Sequence, residues 1–162
     1  MRKRIFAAIA ALIPLLSALA AAAPDDAFFE RGKEILSLIS YREYDKALAK
    51  ANFQSAVNAE DFALFIEENF YDLFYGSVQR EVAVACPEAD RWILYIPVLA
   101  SDERYGEVFY LTSPDGSAFD GYGCADLSRM RAAADGNPAA VWNKPYLGGE
   151  FIIQSDDPRP RG

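Results

Sequence analysis

The chain has 162 residues, of which 16 are basic and 24 acidic, for a net charge of −8, and it contains no histidine. The missing imidazole excludes Ser-His-Asp and Cys-His catalysis, histidine-ligated zinc, and the usual general base near neutral pH. The acidity argues against nucleic acid and anionic lipid as partners, because both would repel it.

Arg2, Lys3 and Arg4 open the chain as a compact positive segment, followed by an apolar run from Ile5 to Ala20 that only Pro14 and Ser17 interrupt. Ala18-Leu19-Ala20 supplies a small-x-small exit. Charge, apolar stretch and small residues in that order predict a secretory signal peptide over residues 1–20, cleaved after Ala20. The run is shorter than the roughly 20 residues that span a bilayer, so no stable membrane anchor is expected after cleavage. The processed chain, periplasmic or secreted, would hold 13 basic and 24 acidic residues and a net charge of −11. Its length suits one domain, placed at residues 24–155, with a disordered tail at 156–162.

Past Pro24, the apolar positions Phe28, Phe29, Gly32, Ile35, Leu36 and Ile39 step by the intervals of one helical face. Ser40-Tyr41-Arg42-Glu43 has the form of a capping box, which would restart the helix after a kink. Tyr44, Leu48 and Ala51 continue an apolar stripe. Asn58 heads a further helix with Glu60 and Asp61 in its first turn. Phe62, Phe65, Ile66 and Phe70 form its inward stripe, and Gly76 ends it. The helical part thus covers about 26–51 and 59–75.

The period then changes to two. Val78, Arg80, Val82, Val84 and Cys86 alternate with Gln79, Glu81, Ala83 and Ala85, which predicts a half-buried strand. Pro87-Glu88-Ala89-Asp90 turns the chain into Trp92–Ile96, apolar on both faces and therefore expected at the centre of the sheet, covered on each side. Glu107–Thr112 reads as a third strand, Ser113-Pro114-Asp115-Gly116 as a tight turn, and 117–124 as a fourth strand. Asp126 caps a short helix that Asp135-Gly136 stops, and 150–154 is predicted as a last strand. The fold class is α+β: N-terminal helices packed on a four-stranded antiparallel meander over about 77–125, with a short C-terminal helix and strand.

Export would take the chain to an oxidising compartment, where an even cysteine count predicts a disulfide between Cys86 and Cys124. That bridge would tie the first strand to the last.

Helices followed by a curved antiparallel sheet, over residues 26–125, resemble the cystatin-like, nuclear-transport-factor-two-like α+β cone. The Tyr41-Arg42-Glu43-Tyr44-Asp45-Lys46-Ala47 stretch is similar to the segment that joins the first two helices of such cones. The resemblance implies a fold that hosts enzymes, small-molecule binders and interaction domains alike, and transfers no site residue.

Several constellations suggest sites. Tyr71, Phe74 and Tyr75 spill beyond the inward stripe of their helix and would line the mouth of a helix–sheet pocket. Arg80 falls among valines, and paired with Glu107 it would make a polar pocket floor suited to a small anionic ligand. Glu81, Glu107 and Asp120 lie on neighbouring strands, where two carboxylates at the right separation would hydrolyse glycosides. Asp115–Gly121 has oxygen ligands but neither the acid spacing nor the closing Glu of a calcium loop, so a hairpin turn is expected. No catalytic residue, metal ligand or cofactor is assigned. The expected function is an exported, non-catalytic domain that binds a basic protein, of inhibitor or immunity type. A small-ligand binder using the helix–sheet cleft and a carboxylate-based hydrolase are the alternatives.

Overall fold

The Asp25 carboxylate accepts a hydrogen bond from the Phe28 amide at 3.0 Å, satisfying an N–H that a helix leaves unpaired at its start. The computed structural model describes residues 23–53, 56–70, 83–98 and 107–143. Helix α1 spans Asp26–Ser40 and buries Phe28, Phe29, Gly32, Ile35, Leu36 and Ile39, the predicted stripe. It ends at Tyr41, and Arg42 turns the chain in the left-handed region at φ 58°. Helix α2 spans Tyr44–Ala51 and closes on Asn52, also left-handed. The capping box does not form. Ser40 Oγ donates back to the Ser37 carbonyl at 2.7 Å, and Glu43, at the N-cap of α2, makes no side-chain cap bond. Ser40 still belongs to α1, and the N-cap of α2 falls three residues later on Glu43, so the serine is not at a helix start.

Helix α3 spans Ala59–Asn69, with Asn58 Oδ1 accepting from the Glu60 amide at 2.8 Å as its cap. The predicted continuation to Tyr75, the first half of the predicted first strand, the 150–154 strand, the signal peptide and the 156–162 tail lie outside the described residues.

Strands β1 (Val84–Glu88), β2 (Arg91–Val98), β3 (Glu107–Ser113) and β4 (Gly121–Asp126) form the expected meander. A two-residue strand, β5 (Val141–Trp142), adds to β1, so the sheet is, among the described residues, five-stranded and antiparallel in the order β4-β3-β2-β1-β5. Helix α4 (Leu127–Ala134) follows β4 directly, capped by Asp126, and Gly136 leads the chain away at φ 70°. Strand β4 starts four residues later than predicted. The Asp115 carboxylate accepts from the Ser117 and Ala118 amides at 2.8 and 3.2 Å, which holds 115–118 in a turn instead of a ladder.

The sheet is covered on both faces. On one, Ala85, Trp92, Leu94, Ile96, Val98, Phe109 and Leu111 pack against α1, α2 and α3. On the other, Val84, Cys86, Ile93, Tyr95 and Val108 pack against Leu127, Met130 and Ala134 of α4. This is why β2 is apolar on both sides. Gly32 lets α1 approach β2 closely, since a Cβ there would overlap Leu94 Cδ2.

The predicted disulfide is overturned. Cys86 and Cys124 are both free. Cys86 lies in β1 on the α4 face, and Cys124 lies in β4 on the opposite face. Strands β2 and β3 separate them, a distance of about 14 Å at the usual strand spacing, where a bridge needs Cα atoms within about 7 Å.

Candidate functional site

Of the site residues expected from sequence, Tyr71, Phe74, Tyr75 and Arg80 lie outside the described residues, as does Glu81. Glu107 begins β3, half-buried, opposite Val98 on one side and Asp126 on the other. Asp120 lies just before β4, bonded to Thr112 at the far end of β3, about 17 Å from Glu107 along the ladder. Its carboxylate accepts from Arg91 Nη1 at 3.2 Å and from Thr112 Oγ1 at 2.5 Å. The two therefore do not make the pair that glycoside hydrolysis requires, with its separation of roughly 5–10 Å. The carboxylate facing Glu107 is that of Asp126, which caps α4 by accepting from Ser128 Oγ and the Arg129 amide. The Ser128 hydroxyl, ahead of the Arg129 amide, holds its carboxyl below the ordinary range, the wrong direction for a general acid. Among the described residues, no three acids or cysteines gather as metal ligands.

Aromatic rings fill the space between α3 and the sheet. Tyr122 meets Phe62, Phe65 and Phe53 at centroid distances of 4.7, 5.1 and 5.5 Å, and Phe70 meets Phe109 at 5.7 Å. Phe62 and Phe70 are fully buried, as their place on the stripe predicted. A cavity beside this cluster, lined by Leu48, Asn52, Phe53, Ala56 and Val57, holds about 170 Å³, below the roughly 300 Å³ at which small-molecule sites begin.

On the opposite face of the sheet, three side chains link α4 to β1 and β2. The Tyr95 hydroxyl donates to Glu88 Oε1, and Arg129 shares the same phenol while its guanidinium lies 5.3 Å from the Tyr110 ring centre. Tyr95 is wholly buried, so burial foremost, then the Glu88 carboxylate, pushes its phenol above the ordinary value. Cys86 lies on the same face. Burial, with Glu88 adding to it, pushes the thiol from 9.0 up to about 12. A thiol that stays protonated is a poor nucleophile and a poor metal ligand. The cluster therefore joins α4 to the sheet and offers no reactive group.

The outward face of α3 has a different character. Leu64 is 56% exposed. The positions three and four residues on either side of it are Glu60, Asp61, Glu67 and Glu68, all exposed, and such positions are neighbours on a helix surface. An apolar side chain thus stands inside a ring of four carboxylates. Glu67 is held in place by Tyr44, whose hydroxyl donates to its Oε1 at 3.0 Å, and by Arg42 Nε at 3.6 Å. Burial first, and then the Glu67 carboxylate, raises the Tyr44 phenol to about 12, so it remains a donor at every physiological pH. Beside Arg42, Tyr41 is 74% exposed. Sequence reasoning placed Glu60 and Asp61 in the first turn, where the helix dipole explains them, and drew nothing from Glu67 and Glu68. The acids at both i±3 and i±4 around Leu64 were the signal that could have found this face.

Compared with known proteins, the chain matches no family model, no curated protein and no solved structure.

Proposed function

We propose that this chain is exported and, once processed, is a non-catalytic binding domain for a basic protein, of inhibitor or immunity type. The observation that carries the reading is the outward face of α3, where Leu64 is exposed within four carboxylates. Two of these, Glu67 and Glu68, occupy the last turn, where the helix has no basic residue of its own; Glu67 is met by Arg42 and Tyr44 from the neighbouring turn and helix. A carboxylate at a helix C-terminus opposes the macrodipole and costs stability, so helix formation does not explain Glu68. Recognition of a cationic surface does. The net charge of −11 after processing supports the same partner, because it steers a basic protein toward the domain and keeps acidic ones away. The lysines of the helical layer are engaged: Lys33 with Glu30, Lys46 with Glu43 and Lys50 with Glu34. The export half of the reading rests on the charged, apolar and small-residue order of residues 1–20.

The small-ligand alternative finds a cavity of about 170 Å³ at α2 and rings packed against one another under α3. The hydrolase alternative finds Asp120 engaged by Arg91 and Thr112. Among the described residues, neither has an observation of its own in its favour.

Affinity capture with the processed chain from the exported fraction of its source tests the proposal. A protein of high isoelectric point should be retained at about 0.05 M salt and released at about 0.5 M, where the Debye length shrinks to a few ångströms. Retention of acidic proteins only, or of a basic one that salt does not release, would count against it.

A further inference from the structure

We infer that the partner is held by two apolar anchors, Leu64 and Tyr41, set in the acidic ring, and that it therefore offers a basic surface broken by an apolar pocket, not a uniformly cationic one. The inference rests on the binding reading above and names the chemistry of the partner at that face. Leu64 and Tyr41 are the exposed large apolar side chains among the described residues, at 56% and 74%. They come from different elements, α3 and the α1–α2 turn, yet one clamp joins them. Arg42, next to Tyr41, reaches Glu67, one turn from Leu64, and Tyr44 donates to the same carboxylate.

The turn itself carries a cost. Arg42 adopts a left-handed backbone at φ 58° where glycine would be the unstrained choice. Arginine at that position brings the guanidinium to Glu67. Leu64 then stands exposed amid the carboxylates and Tyr41 stands exposed next to Arg42. Interfaces use this arrangement: apolar anchors that lose all their water, surrounded by a charged rim.

The test uses two fluorescent probes of equal charge, a helical peptide of lysine and leucine and an oligolysine, titrated into the processed chain and followed by anisotropy. The lysine–leucine peptide should bind at least tenfold tighter than oligolysine. Leu64→Ser should abolish most of that preference, Tyr41→Ala part of it, and both should leave oligolysine binding unchanged. Glu60→Gln with Glu68→Gln should weaken both probes. Thermal unfolding of each variant is measured first, and the exposed positions should leave the midpoint unmoved. If Leu64→Ser and Tyr41→Ala bind the lysine–leucine peptide as the parent does while the glutamine variant weakens both probes, the anchors fall and the acidic reading stands. If neither probe binds the parent chain, the binding reading itself falls, and this inference with it.

Discussion

Two cysteines show how much a single side chain's environment decides. Cys86 is wholly buried and sits near Glu88, which leaves the thiol protonated up to about 12. Cys124 is half-buried, with its Sγ donating to Asn69 Oδ1 at 3.4 Å. A thiol-reactive chromophore at pH 8 should therefore modify Cys124 and leave Cys86 untouched until the protein is unfolded. Unfolding without reductant should then expose two free thiols, whereas intact mass showing a loss of two hydrogens would restore the disulfide. The same raised thiol fixes the sign of a pH effect. Its folded value lies above the ordinary 9.0, so the neutral form favours the native state. That contribution is complete below about pH 9 and is lost as pH rises toward 12. Stability, followed by denaturant titration, should fall across that alkaline window, and Cys86→Ser should shrink the fall.

Each element depends on a short-range device, and two of these are open to direct test. Gly32 is the point at which α1 touches the sheet, with Leu94, Ile96 and Leu111 within reach of an added Cβ. Alanine would raise helix propensity by about 1 kcal/mol. It would also overpack a site whose neighbours are wholly buried, at a cost of about 1–3 kcal/mol. The net expectation for Gly32→Ala is destabilisation by about 1 kcal/mol, read from the urea midpoint; a gain in stability would mean that α1 shifts to make room. Asp126 caps α4 through the Arg129 amide at 2.8 Å and Ser128 Oγ at 2.7 Å. Asp126→Ala should cost about 1 kcal/mol and weaken the α4 layer over Val84, Cys86 and Tyr95. Because hydrogen bonds lower its carboxyl in the folded chain, the cap contributes above the ordinary carboxylate range and is lost as pH falls through its lowered value. The gap between parent and variant should close in acid. A gap as wide in strong acid as at neutral pH would assign the cost to something other than the charged cap.

For the molecule as a whole, net charge sets the behaviour. If residues 1–20 are removed, N-terminal sequencing of the exported protein should begin at Ala21, and Met1 retained in that fraction would overturn the processing step. No helix among the described residues is long and apolar enough to cross a membrane. With 24 acids against 13 bases after processing, the folded chain repels itself, and added salt should raise its thermal midpoint by screening that repulsion. A midpoint that drops with salt would mean that attractive pairs such as Arg91–Asp120 and Lys50–Glu34 dominate.

Much of the fold was legible in the chain because it depends on local period and local caps. Phe28 to Ile39 announced a helix by spacing, Asn58 and Asp126 announced two helix starts, and the apolar run Trp92–Ile96 announced a strand covered on both sides. A short C-terminal strand was expected, but its place at Val141–Trp142 was not legible because two residues carry no period at all; only pairing with β1 makes them a strand. The face on α3 was missed for a related reason. Its carboxylates are spaced legibly, but whether Leu64 is core or surface depends on which side of the helix the sheet takes, and that is decided by Phe62 and Ile66 packing inward. Sequence alone determined the helix stripes of α1 and α3, the apolar β2, the acidity and the absence of imidazole, all of which are properties of single residues or near neighbours. Tertiary structure alone decided that Cys86 and Cys124 stay apart, that Glu107 faces Asp126, and that Arg42 of the α1–α2 turn meets Glu67 of α3. Each of these depends on register and strand order, which bring together residues that no local rule relates.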